Sequence, residues 1–476
     1  MKGKPGVVFT VLLLASLLAI PLLSGCSGGG EEATPTPAAS PTATAPATGT
    51  PTATPRPTTP ATGTPAPTPT PTAAATPTPA TTPTPTAPET ATPATTPAAE
   101  VPGITDTQIT LGASLILGGV FGAAFRMIPD ATTAYFKYIN DTQGGVCGRE
   151  IVYKMEDNNN DAAQGLEAAR KLIERDQIFA MVGNLGDDSE AAAWDYINEE
   201  GVPDIFVSAG THRFGIDPEG HPWTIPLIPS YTVEGTFFGQ YISEHLPGEK
   251  VAALYENGPQ GWDELAGLEQ GLDPDKNELA TEQSFELTDI SIRSQVANMK
   301  NSGATIGVLL TGPGQVGQAI KEGDRLGWHP QWVISYTSAD DILFQFVSPD
   351  LLEGAITFQA FKLATMKDDP AVARHYDIMR DYGGPAPSNF TIYAQLVGEL
   401  TVEALSRTCD NLTRQGLIDA VESIKDWHSD LLLDDVNVTF SHTDHIGLQT
   451  GRMLRIVVED GKARFEYFGP LYVFEQ

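Results

Sequence analysis

The sequence predicts an α/β protein built as two lobes, each a mainly parallel sheet covered by helices on both faces. Three observations carry that expectation. From Ile104 onward, short apolar or β-branched runs alternate with helical periodicity, the order that parallel strands and crossover helices require. Residues 31–100 hold 19 of the 38 prolines in a Thr- and Ala-rich background, which cannot bury enough apolar surface to offset its ordering entropy. The 376 residues that follow exceed the usual ceiling for one hydrophobic core.

The N-terminus reads as an address. Lys2 and Lys4 precede an apolar run from Val7 to Leu23 that is short for a membrane span and contains Pro21. It ends in Leu22, Leu23, Ser24, Gly25 and Cys26, which resembles the bacterial lipobox, where a cysteine is acylated and becomes the mature N-terminus. Residues 1–25 are thus expected to be a lipoprotein signal peptide. An N-terminal membrane anchor with an incidental cysteine is the competing reading, and both place the rest of the chain outside the cytoplasm. Residues 26–100 are expected to form a lipidated, disordered tether, reaching at most roughly 200 Å at about 3.1 Å per residue.

Charge narrows the partners. The chain carries 28 Lys plus Arg against 60 Asp plus Glu, a formal net charge of −32. Almost all of it lies beyond residue 100, without a basic patch, so nucleic acid is excluded as a partner. With Cys26 committed to lipid, Cys147 and Cys409 remain in a disulfide-permissive compartment. They are expected to pair; two buried free thiols are the alternative.

Within the globular part, strands are expected at Ile109–Leu115, Ile151–Met155, Phe179–Val182 and Ile205–Val207, then at Val251–Tyr255, Ile306–Leu310 and Trp332–Ser335. Asp161 is a good N-cap for a helix whose Leu166, Ala169, Leu172 and Ile173 share one face, and Ile292, Val296 and Met299 repeat that pattern. Gly220 to Pro226, with Pro229 beyond, reads as a crossing between lobes, because proline forbids a continuing helix and disfavours a central strand. Helices are expected at about Asn389–Arg407 and Thr413–Lys425, then short β patterns at Val436–Phe440, Arg452–Val458 and Ala463–Phe468. The expected lobes are residues 101–225 with the C-terminal helices of about 345–476, and residues 226–344 with part of 350–388. A ligand site belongs between them, at the carboxyl ends of the strands.

Several motifs point elsewhere and fail. Gly312 to Gly317 matches GxGxxG, yet Pro313 removes a backbone N–H from the turn that would cradle a dinucleotide. Asp157 to Asp161 begins like a calcium loop, but Ala162 and Ala168 stand where glycine and glutamate are required. Asp187 and Asp188 flank a helix start with Ser189 and Glu190, but neighbouring side chains on one turn diverge, and no GxSxG or HExxH occurs. The eight histidines show no metal-ligand spacing. No cofactor, metal or catalytic residue is expected.

Seven stretches in order, GITDTQITLG (103–112), GGVCGREI (144–151), AARKLIERD (168–176), AMVGNLG (180–186), GVPDIFVSAGT (201–211), HPWTIP (221–226) and GWHPQW (327–332), carry a resemblance over the globular part. The chain resembles the leucine/isoleucine/valine-type extracellular solute-binding proteins of ABC importers, the type I periplasmic binding proteins. The resemblance implies two Rossmann-like lobes joined by three crossover segments, closing over a small solute like a hinged trap. It also implies delivery of that solute to a permease, with no chemistry on it.

In amino-acid-binding members of that family, a hydroxyl after the third strand and an Ala-x-Thr turn after the fourth hold the ligand carboxylate. Here the turn is Ala209, Gly210 and Thr211, while Asp187 stands where the hydroxyl is expected, with Asp188 beside it. The resemblance further places Phe121, Gln260, Trp262 and Tyr336 around the ligand, with Asp340 and Asp341 a few residues beyond Tyr336. Asp187 makes a plain branched-chain amino acid a poor fit, and a partly aromatic, polar or cationic solute fits better. The expected function is thus a lipid-anchored, extracytoplasmic binding protein for a small polar solute: an amino acid, an amide or an aromatic or carboxylate-type compound. Its partners would be that solute, permease subunits and, through lipid only, the membrane. A ligand-sensing receptor component is the alternative, and an enzyme a more distant one.

Overall fold

The computed structural model describes residues 101–474. The expected signal peptide, Cys26 and the tether lie outside them. The first lobe opens with β1 (Gln108–Leu115), α1 (Gly119–Phe125), α2 (Met127–Gln143), β2 (Glu150–Asp157) and α3 (Ala162–Arg170). It continues with β3 (Ala180–Val182), α4 (Asp187–Glu199), β4 (Asp204–Val207), α5 (Arg213–Ile216) and β5 (Thr224–Pro226). Its sheet runs β2-β1-β3-β4-β5, with every neighbouring pair parallel. Asp161 caps α3 by accepting from the backbone N–H groups of Ala163 and Gln164.

The second lobe holds α6 (Tyr231–His245), β6 (Lys250–Glu256), α7 (Pro259–Gly271), β7 (Glu278–Phe285), α8 (Arg293–Asn301), β8 (Ile306–Leu310), α9 (Pro313–Leu326), β9 (Gln331–Ile334), α10 (Leu343–Phe346) and β10 (Ile356–Gln359). The chain then returns to the first lobe for α11 (Pro370–Asp381), α12 (Asn389–Arg407) and α13 (Arg414–Glu422). It ends as a hairpin, β11 (Thr450–Glu459) and β12 (Lys462–Val473), which extends the second sheet to β12-β11-β10-β9-β8-β6-β7. Only the pairs that involve β11 are antiparallel in that sheet.

The buried apolar side chains form two large cores, one under each sheet. The described chain passes between them near residues 227–230, 360–364 and 446–450, giving the three expected crossovers. The first of these follows β5 and does not replace it. Thr224–Pro226 forms an edge strand, where the missing N–H of Pro226 costs no interior ladder bond. Val436–Phe440 makes a single bridge, Val438 to Trp427, and no strand.

One helix contact places the chemistry described below. Gly235 and Gly239 on α6, and Gly267 and Gly271 on α7, each lie four residues apart and so share a face. A Cβ on Gly235 would stand 2.2 Å from the Glu264 carbonyl, and one on Gly271 2.1 Å from the Thr236 carbonyl. The helices therefore touch backbone to backbone, which brings Glu234 against Glu264. Among the described residues, no helix is long and apolar enough to cross a membrane.

Candidate functional site

A cleft of about 880 Å³, its solvent-filled mouth included, opens between the lobes. Its polar wall comes from segments that follow parallel strands: Asn160 after β2, Asp187 after β3, Ser208 after β4, Thr311 after β8 and Thr337 after β9. Glu256 and Gln359 are the last residues of β6 and β10. Carboxyl ends of parallel strands meet at such a point because the strand-to-helix turns all open on one edge of the sheet. Phe125, Phe361, Phe390, Tyr231, Tyr336 and Tyr393 add rings, and Ile116, Ile128, Leu185, Ile228 and Leu287 add aliphatic surface. Among the described residues, no Lys, Arg or His lines the cleft.

A buried polar network holds the first-lobe wall. Asn158 donates to Ser114 Oγ at 3.0 Å and to the Leu185 carbonyl at 2.9 Å, and Asn184 Oδ1 accepts from the Ser114 N–H at 2.9 Å. That wiring fixes the turn carrying Asp187. Asp187 is the first residue of α4, but its carboxylate turns away from its own helix. Oδ1 accepts from Thr211 Oγ1 at 2.7 Å and from Thr211 N–H at 3.3 Å, and Oδ2 accepts from Tyr231 Oη at 2.9 Å. Burial pushes its pKa up to about 6, despite these donors.

On the second-lobe side, Gln260 Nε2 donates to Glu264 Oε1 at 3.0 Å and to Thr337 Oγ1 at 3.1 Å. Tyr336 donates to the Pro229 carbonyl at 2.6 Å and stacks on Tyr231 with ring centroids 5.8 Å apart. Beneath them Ser335 Oγ lies 2.6 Å from Glu264 and 3.2 Å from Glu234, both fully buried. Burial and the Glu264 charge raise the pKa of Glu234, and burial raises that of Glu264 to about 8, so this pair retains a proton at neutral pH. Glu256 lines the cleft above them, its own pKa raised to about 8 by burial and by neighbouring carboxylates.

Of the residues singled out in the sequence, Asp187, Gln260 and Tyr336 stand on the cleft wall. Thr211 does not line it, because its hydroxyl is spent on Asp187. Ala209 is also off the wall, packed with Trp194, Val207 and Phe214. Gly210 lies under the two tyrosines, where a Cβ would meet Tyr336 Oη at 2.6 Å and the Tyr231 ring at 2.7 Å. Asp188 is only half-buried, off the wall, its N–H donating to Asn160 at 3.3 Å. Trp262 is 54 % exposed and points its indole N–H to Asn257, because α7 turns it outward two residues past the wall residue Gln260. The Phe121 side chain lies outside the described residues. Asp340 anchors the start of α12 by accepting from the N–H groups of Phe390 and Ile342.

The sequence reading missed Glu256, Tyr231, Thr337, Gln359 and Tyr393. For Glu256 a signal existed, an acid closing an otherwise apolar run (VAALYE). Away from the cleft, a disulfide joins Cys147 to Cys409 with Cα atoms 5.2 Å apart. Among the described residues, no cluster of three or more His, Cys, Asp or Glu could hold a metal ion.

Known proteins share this fold. The periplasmic binding protein family model matches residues 108–462. Leu/Ile/Val-binding protein homolog 1 of Brucella abortus (strain 2308) is 24 % identical over 301 residues, 61 % of this chain and 76 % of that protein. A branched chain amino acid ABC transporter structure from Thermus thermophilus, with bound valine, gives a TM-score of 0.68 at 19 % identity, covering 78 % of this chain and 98 % of that one. The fatty acid ABC transporter substrate-binding protein from Thermomonospora curvata gives 0.66 at 22 % identity, covering 77 % and 94 %. Valine and a fatty acid are very different cargoes, so the shared fold leaves the solute to the residues of the cleft. The match runs through both sheets, from the first residue of β1 to the first of β12, and the chain belongs to the periplasmic binding protein family.

Proposed function

We propose that this chain is the solute-capturing component of an ABC importer, exported by residues 1–25, lipid-anchored at Cys26 and set off the membrane by residues 26–100. The observation that carries the reading is the interlobe cleft, whose walls come from the strand ends of both sheets. A solute there touches both lobes only when they are closed, and that differential affinity drives closure and marks the loaded protein for a permease. The wall combines rings and aliphatic side chains with a few fixed polar groups, which favours a small solute with an apolar body and a polar head. Asp187, Gln260 and Tyr336, joined by Glu256 and Gln359, are the residues proposed to meet the polar head. The solute is passed on unchanged.

Native mass spectrometry of the purified chain, followed by a thermal-shift screen of small solutes, tests the reading. A true solute at about 100 times its Kd stabilises the native state by about 2.7 kcal/mol. A chain that carries no solute and is stabilised by none contradicts it. Cys26→Ser should release the protein from the membrane, and deletion of residues 31–98 should leave solute affinity unchanged.

A further inference from the structure

Among the described residues, Glu256 is the one ionisable acid or base on the second-lobe wall of the cleft apart from tyrosines, as Asp187 is on the first. It is 7 % exposed, yet only burial and other carboxylates act on it: Asp187 and Asp188 from α4, and Glu264 from α7. No donor satisfies it among the described residues. An acid so placed resists ionisation in the empty site, and a ligand that brings positive charge favours its charged form. Asp187, across the cleft, is held in place by Thr211 and Tyr231, with Asp188, Glu264 and Tyr336 as its other ionisable neighbours. Around the two acids stand tyrosine and phenylalanine rings, whose faces attract cations. A ligand carboxylate finds the reverse, two acids and, among the described residues, no cationic side chain.

Resting on the binding-protein reading above, we propose that the solute is a primary amine that lacks a carboxylate, with an aromatic or branched apolar body, its ammonium received by Glu256 and Asp187 from opposite lobes. The ammonium then acts as the closing tie, because its charge offsets the repulsion between the two carboxylates once both have given up their protons. Glu256 and Asp187, whose pKa values stand at about 8 and about 6, exchange protons for the ligand's charge. Binding near pH 7 therefore releases protons, and affinity rises between pH 6 and 8 while the amine, with a pKa of about 10, stays charged.

The test is calorimetric titration of the full chain with 3-methylbutylamine, 2-phenylethylamine and tyramine, against leucine, phenylalanine, tyrosine and 3-phenylpropionate. At least one amine should bind about tenfold or more tightly than its amino acid, and the acid should not bind. Titration in two buffers of different ionisation enthalpy should show net proton release. Glu256→Gln should weaken amine binding by about tenfold or more without lowering Tm. The proposal is overturned if an amino acid or the acid binds as tightly as its amine, if protons are taken up, or if Glu256→Gln binds the amine as wild type does. If every amine fails while native mass spectrometry finds a different solute in the protein, the amine assignment falls and the binding-protein reading stands. If every amine fails and the protein neither carries nor is stabilised by any solute, both fall.

Discussion

Tyr231, the first residue of the second lobe's opening helix, donates its phenolic hydrogen to Asp187 of the first lobe at 2.9 Å. The bond crosses the hinge beside the first crossover, and it fixes both the carboxylate and the relative setting of the two walls. Tyr231→Phe leaves Asp187 Oδ2 without a donor in a buried site. The expected cost is about 1–3 kcal/mol of stability. Small-angle scattering of the solute-free variant should report a larger radius of gyration, because a tie that favours the closed arrangement has been removed. An unchanged radius with a lowered Tm would confine Tyr231 to stability alone.

Thr211→Val removes the hydroxyl that donates to Asp187 at 2.7 Å, at nearly constant shape. The Thr211 N–H still donates at 3.3 Å, so the carboxylate keeps two of its three bonds. The expected result is a loss of about 1–2 kcal/mol in stability with solute affinity changed by less than about threefold. Parallel melting and titration check it. A large affinity loss at unchanged Tm would return Thr211 to the ligand.

These two residues mark how far the sequence could be read. The strand and helix alternation is written in local periodicity, so most elements lie where apolar runs and caps put them; α12, for example, spans Asn389–Arg407 as expected. β7 was missed because an edge strand with the pattern ELATEQSF has no apolar face to reveal it, and β10 because four residues carry little periodicity. Asp187 was identified from its place in a turn, but not its bond to Tyr231, 44 residues away and on the other lobe. Thr211 and Trp262 were drawn to the site by motif position, whereas side-chain direction depends on which neighbour claims the hydroxyl and on how a helix is rotated. Pairings across a hinge are tertiary facts with no local signature.

The disulfide should matter for stability and not for binding. Cys409 follows the C-terminus of α12, whereas Phe390 and Tyr393 at its other end line the cleft, a separation of about 24 Å along the helix. The bridge closes a sequence separation of 262 residues, so the chain-entropy model assigns it about 5.6 kcal/mol. Replacing both cysteines with Ser should lower Tm markedly while leaving the Kd of any identified solute within about twofold. Non-reducing peptide mapping of the wild-type chain should recover a Cys147–Cys409 crosslink.

The buried carboxyls set the direction of pH dependence. Glu256 and Glu264 have folded pKa values of about 8 against an ordinary 4.5, and Asp187 about 6 against 3.8. In each case the folded state keeps a proton that the unfolded chain gives up at lower pH. Stability from this source is therefore fully present below the ordinary carboxylate pKa, and it is lost as pH rises through about 6 for Asp187 and about 8 for the two glutamates. The solute-free protein should melt several degrees higher at pH 5 than at pH 8. General repulsion within a chain of net charge −32 acts in the same direction, so the slope alone does not identify the groups. Glu256→Gln separates the two contributions, because it removes a titrating group while changing the net charge by one at most. Its melting curve should be flatter between pH 6 and 8, with the variant as stable as wild type at pH 5 and more stable at pH 8. A variant that tracks the wild-type slope throughout would show that Glu256 is already ionised in the solute-free cleft.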